Sequence, residues 1–165
     1  MTIEPIHPTD LVRRLRERGA SVATAESCTG GLIGHLITEV PGSSAVFAGG
    51  VIAYTDRFKT GGLGVAADLI KTHGAVSEAV ARAMAKGARE RLGSTFSLAV
   101  TGVAGPGGGT ADKPVGLVYV ACAGPAGTRV DRCIWDSDRS GNKRLSAEHA
   151  LALLAAQLKD HAPPA

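Results

Sequence analysis

Three short apolar runs each break off into small or hydroxyl-bearing residues. Ala20 to Glu26 runs into Ser-Cys-Thr-Gly-Gly, Val46 to Tyr54 into Thr-Asp-Arg, and Ser94 to Thr101 into a loop that is mostly glycine. Runs this short, bounded by such residues, read as buried strands. Between them lie stretches with apolar residues at helical spacing, among them Leu32, Ile33, Leu36, Ile37 and Val40, and then Val80, Met84 and Ala88. Strand, turn and helix in alternation restrict the chain to an α/β architecture, because each apolar helix face has to return over a sheet.

The remaining segments extend that pattern. Residues 8–19 read as a helix with Asp10 as cap, Leu11, Val12 and Leu15 on one side, and Gly19 as the stop. The second helix is expected over 28–40, ended by Pro41-Gly42. Residues 56–74 suggest short helices broken at Gly61, Gly62 and Gly74, and Ser77-Glu78 caps a long helix to Leu92. Val115 to Ala123 and Thr128 to Trp135 form a hairpin around Gly124-Pro125-Ala126-Gly127. A last helix runs to Lys159 with Ala147, Leu151, Leu154 and Leu158 on one stripe, before a frayed tail from His161 to Ala165. This order predicts one domain over residues 1–165, a three-layer α/β/α sandwich with a mixed, mostly parallel sheet. Aromatic residues make up only 4% of the chain, so the core has to be built of Ala, Val, Leu and Ile.

Charge and cysteine usage exclude several classes. The net charge of +3 suits an anionic small molecule, and no Lys/Arg stripe is interleaved with aromatics, which argues against direct nucleic-acid binding. Three cysteines without metal-ligand spacing predict neither a disulfide framework nor a zinc site, and point to a reducing, cytoplasmic compartment. The polar start, Met1 to Pro5, predicts no signal peptide, and no apolar run approaches the ~20 residues a bilayer span needs.

Four stretches carry candidate chemistry. Ser27 falls on a strand-to-helix turn at the edge where open α/β sheets place ligands. The backbone N–H groups of Cys28, Thr29, Gly30 and Gly31 would face an anion there, and the two glycines give it room. The same turn reads equally as a plain serine or threonine helix cap. It is neither a Gly-x-Ser-x-Gly elbow nor a phosphate loop. Cys28 is the rival nucleophile and also a small core residue. None of His7, His35, His73, His149 and His161 falls where a serine triad needs its base. That leaves Lys59, five residues beyond Tyr54. It serves as a base if burial or a neighbouring cation such as Arg57 keeps it neutral, and otherwise it is a solvated loop charge. Thr101 closes the third strand, and the loop with Gly102, Gly105, Pro106 and Gly107 offers further backbone donors or merely turns the chain. Arg139, Lys143 and Arg144 crowd the start of the last helix, where acids are the usual choice. They read as a phosphate clamp, or as a solvated start capped by Ser137, Asp138 or Ser140.

Taken together, "TAESCTGG", "PGSS", Tyr54 followed by Lys59, "HGAVSE", "TGVAGPGGG", "KPVG" and the "DR" before the terminal helix resemble the CinA C-terminal domain family from about residue 8 to 160. Members of that family include bacterial nicotinamide-mononucleotide amidohydrolases. Larger relatives carry an added N-terminal domain that this sequence does not contain, so it looks like a stand-alone version. The resemblance implies hydrolysis of the nicotinamide carboxamide to nicotinic acid mononucleotide and ammonia by a Ser-Lys dyad. Ser27 would be nucleophile and Lys59 base, Tyr54 or Thr101 would assist proton relay, and Arg139, with Arg144, would hold the 5′-phosphate. It implies no metal and no cofactor. A homodimer is expected for so small an enzyme. The alternative is a nucleotide-binding or regulatory protein without turnover.

Overall fold

A computed structural model describes residues 3–163 and 165. Met1, Thr2 and Pro164, which belong to the predicted polar start and frayed tail, lie outside the described residues. The elements in chain order are α1 (Pro8–Glu17), β1 (Val22–Glu26), α2 (Leu32–Thr38), a 3-10 turn (Ser43–Ala45), β2 (Phe47–Ile52), α3 (Asp56–Leu63), α4 (Ala67–His73), α5 (Glu78–Leu92), β3 (Phe96–Gly102), β4 (Leu117–Gly124), β5 (Gly127–Ile134) and α6 (Arg139–Leu158). Among the described residues no helix is long and apolar enough to cross a membrane.

The sheet has the order β2-β1-β3-β4-β5. β1 pairs in parallel with both β2 and β3, β4 runs antiparallel to β3, and β5 turns back antiparallel to β4. All strands but β4 therefore point the same way, as the prediction of a mixed, mostly parallel sheet requires. From β1 the chain goes out to β2 on one side, then crosses to β3 on the other. The carboxyl ends of β1 and β3 thus flank a switch point, which in open sheets of this kind opens into a crevice. Register places Glu26 beside Val100 on β3 and Ile52 on β2, so all three parallel strands end together at that crevice.

The two faces of the sheet are packed differently. One face presents Val22, Phe96, Leu98, Val100, Val118 and Val120 to Leu11, Leu15, Ile33, Ile37, Leu151 and Leu154 of α1, α2 and α6. The other presents Ala25, Ala99, Ala121 and Ala123 to α5, whose inward positions are Val80, Ala81, Met84, Ala85 and Ala88. Alanine against alanine draws α5 close to the sheet, near enough for the buried Ser97 hydroxyl to donate to the Ala85 carbonyl. α3 approaches α5 as tightly: a Cβ at Gly87 would lie 1.9 Å from the Leu63 carbonyl oxygen. The core is aliphatic, as the scarcity of aromatics required.

Four expectations are corrected. The cap of α1 is His7, whose ring accepts from the Thr9 N–H, and Asp10 lies inside the first turn. The second helix begins at Leu32, not at residue 28, because Gly30 and Gly31 take left-handed φ values of +61° and +105° that carry the chain through a turn first. α3 passes through Gly61 and Gly62 and stops at Gly64, where φ is +72°. The tail is tied down at His161: Arg18 donates to the Leu158 and His161 carbonyls, and the His161 ring packs edge-on against Phe96.

Candidate active site

A cavity of about 310 Å³ opens at the switch point. Ser27 and Cys28 enter it from the end of β1, Tyr54, Asp56 and Lys59 from the connection into α3, and Thr101, Gly102, Gly105 and Gly107 from the end of β3. Arg139 reaches it from the first turn of α6. Its size lies at the lower end of the range for small-molecule sites.

Ser27 is placed by a short chain of cause. Its N–H donates to the Val100 carbonyl, which pins it to β3. Immediately before it, the Glu26 carboxylate is fully buried and accepts from the N–H groups of Ile33 (2.8 Å) and Gly34 (3.1 Å). An acid at the end of an apolar strand therefore serves as the cap of α2, whose own N-cap residue, Gly31, has no side chain to offer. The Ser27 hydroxyl is left without a hydrogen-bond partner among the described residues.

Lys59 is only 2% exposed. It sits in the first turn of α3, a helix begun by Thr55, whose hydroxyl accepts from the Phe58 N–H. Burial lowers the Lys59 pKa from its ordinary value; the Asp56 carboxylate at 3.7 Å opposes that shift and is outweighed. The solvated-charge reading of Lys59 is therefore overturned. The cationic helper Arg57 is not among the residues lining the cavity. Burial also pushes the Cys28 thiol up to about 11, so at neutral pH it stays protonated and is a poor nucleophile.

Tyr54 and Arg139 bridge the rim. Arg139 donates through Nη2 to the Tyr54 hydroxyl (3.1 Å) and through Nη1 to the Gly105 carbonyl (2.7 Å). Thr101 is buried against the opposite wall, and its hydroxyl donates to the Ala75 carbonyl at 2.9 Å. α6 is capped by Asp138, which accepts from the Gly141 N–H, and this leaves Arg139 free to turn toward the cavity.

Other expected site residues fall elsewhere. Thr29, Gly30, Gly31, Pro106 and Arg144 do not line the cavity. Gly30 and Gly31 form the turn itself, packed against Lys143 and Ile52. Arg144, 74% exposed, faces Glu148 at 3.9 Å on a neighbouring groove that it shares with Lys143. Sequence reasoning missed Glu26, Asp56, Ala75, Ala104 and Asn142. An acid inside a buried run was a legible signal for Glu26, and the position of Asp56 three residues before Lys59 another. Ala75 and Ala104 carry no local signal at all.

The model of the CinA C-terminal domain matches residues 6–158. The chain belongs to that family. A CinA-like protein of Anaeromyxobacter sp. (strain Fw109-5) is 51% identical over 152 residues, covering 92% of this chain and 37% of that protein. One from Parasynechococcus marenigrum (strain WH8102) is 55% identical over 130 residues, covering 79% of this chain and 30% of that protein. The chain thus spans between 26% and 37% of the length of the curated relatives it matches. Among solved structures, the competence/damage inducible protein CihA from Agrobacterium tumefaciens is 42% identical with a TM-score of 0.86, covering 96% of this chain and 99% of that one. A CinA superfamily protein from Escherichia coli is 30% identical with a TM-score of 0.89, covering 95% of each chain. The family of CinA C-terminal domains therefore shares this open mixed sheet and its flanking helices.

Proposed function

We propose that this CinA-family chain hydrolyses the carboxamide of nicotinamide mononucleotide, with Ser27 as nucleophile and Lys59 as its base. The observation that carries the reading is Lys59: a buried lysine whose pKa burial lowers, lining one cavity with a serine hydroxyl that has no hydrogen-bond partner among the described residues. Burying an ammonium is costly, and a lysine made easier to deprotonate is what a Ser-Lys pair requires.

The steps balance as follows. Neutral Lys59 takes the Ser27 proton as Oγ bonds to the carboxamide carbon, and the carbonyl electron pair moves onto oxygen. When that pair returns, the C–N bond breaks, and the departing nitrogen takes the proton from Lys59 and leaves as ammonia. Lys59, neutral again, takes a proton from water, the hydroxide attacks the acyl carbon, and Ser27 leaves with its proton restored. Arg139 supplies the cation for the 5′-phosphate by exchanging its Tyr54 partner for a phosphate oxygen while Nη1 stays on the Gly105 carbonyl. Arg144, outside the cavity, has no part in this binding.

Ammonia release from nicotinamide mononucleotide, with nicotinamide and the dinucleotide as comparators, tests the reading. The wild type releases ammonia from the mononucleotide, and Ser27→Ala loses at least ~10³-fold in kcat. Release by Ser27→Ala at the wild-type rate would falsify the nucleophile assignment. Binding of the mononucleotide by the wild type without any ammonia would identify a binding module instead.

A further inference from the structure

The reaction proposed above places negative charge on the attacked carbonyl oxygen, and something in the cavity has to receive it. α2 is not free to do so, because Glu26 already accepts from the N–H groups of Ile33 and Gly34. The loop after β3 differs. Gly105 is buried and borders the cavity, yet among the described residues its N–H has no acceptor. A buried N–H left unpaired is rare, and the cavity is the remaining place for its partner.

The direction of that N–H is set by its neighbours. In the trans peptide joining Ala104 to Gly105, the C=O and the N–H point opposite ways. The Ala104 carbonyl accepts from Asn142 Nδ2 at 3.0 Å, and Asn142, on α6, is only 1% exposed. The Gly105 N–H therefore points away from Asn142. The next peptide has no N–H, since residue 106 is proline, and its carbonyl is held by Arg139. Both peptides flanking Gly105 are thus fastened to α6 by their oxygens, and one donor remains. Glycine is required there: φ is +86°, and a Cβ would lie 2.5 Å from Val115 Cγ1.

We propose that the Gly105 N–H holds the oxyanion formed when Ser27 attacks, and that Asn142 is the positioning residue that aims it. The inference rests on Ser27 acting as the nucleophile. Asn142 does not touch the substrate. It acts through the Ala104 carbonyl, so its loss lowers kcat and leaves KM unchanged.

Two readouts test this in Asn142→Asp, which keeps the shape and removes the donor, and in Asn142→Ala, which removes the amide without adding charge. With nicotinamide mononucleotide, kcat falls roughly 10- to 100-fold while KM stays within error, an effect expected to be smaller than the outright loss of an oxyanion donor. With 3-pyridylboronic acid, a tetrahedral mimic that bonds to serine, the Gly105 amide proton of ¹⁵N-labelled wild type moves downfield, and it does so less in the variants. Circular dichroism confirms which variants are folded, and one folded variant suffices. Unchanged kcat in a folded variant, a rise in KM in place of the fall in kcat, or a Gly105 proton indifferent to the boronate in active wild type each overturns the proposal. Wild type that neither releases ammonia nor binds the boronate overturns the nucleophile reading itself, and this inference with it.

Discussion

The turn after β1 and the loop after β3 leave the same edge of the sheet, and both are rich in glycine, yet their backbone donors have different fates. In the first, Gly30 and Gly31 supply left-handed geometry, and the buried Glu26 carboxylate takes the N–H groups of Ile33 and Gly34 at the head of α2. The result is a stiff mount for Ser27. In the second, α6 fastens the carbonyls of Ala104 and Gly105 and leaves the Gly105 N–H open. Glycine abundance alone therefore says little about ligand binding. What matters is whether a nearby side chain has already claimed the donors.

Removing Lys59, which lines the same cavity, has the largest expected effect. Lys59→Met loses ~10³-fold or more in ammonia release and gains about 1 kcal/mol in urea unfolding at pH 7, because a buried amine is replaced by an apolar chain of similar length. The sign follows from linkage. The unfolded chain keeps its Lys59 proton up to about 10.5, and the folded chain releases it at lower pH. Between those values the unfolded state holds more protons, so wild-type stability rises with pH, and this part of the rise disappears in Lys59→Met. Wild-type kcat climbs across the same window, with a midpoint below 10.5. A flat pH profile for kcat would remove Lys59 from the role of base.

Breaking the mount comes next. Glu26→Ala strands the Ile33 and Gly34 donors and costs about 2–3 kcal/mol, while Glu26→Gln, which keeps one acceptor, costs about half as much. Chemical denaturation resolves both, and equal stability of Glu26→Ala and wild type would mean the cap holds nothing in place. The smallest effects separate true lining from proximity. Arg144→Ala leaves KM within about twofold, whereas Arg139→Ala raises it about tenfold or more, in steady-state assays of the mononucleotide. Cys28→Ser keeps activity within about threefold, since a thiol held at about 11 has no ionised role at neutral pH.

The elements were legible where local chemistry decided them. Ser77 before Glu78 marked the start of α5, which was expected to run to Leu92, and the alternation of strand and helix announced the three layers. The start of α2 was misread because Ser27 and Thr29 resemble helix caps. The actual cap, Glu26, reaches forward from the strand, a contact that no spacing rule for helix starts contains. Arg139 and Arg144 looked equivalent in sequence, although the five positions between them, about 1.4 turns of helix, send only the first toward the cavity.

The sequence by itself determined that this chain forms an α/β sandwich and which strands it contains, because hydrophobic period and turn residues act over a few positions; the grouping of Ser27, Tyr54, Lys59, Thr101 and Arg139 came from the resemblance of its motifs to the CinA C-terminal domain family. Only the tertiary structure decided that Lys59 is buried, that Glu26 caps α2, and that Asn142 holds the Ala104 carbonyl. Each of these depends on groups distant along the chain or on solvent excluded by the whole fold. Desolvation and directed hydrogen bonding arise when strands and helices pack, and local spacing does not encode them.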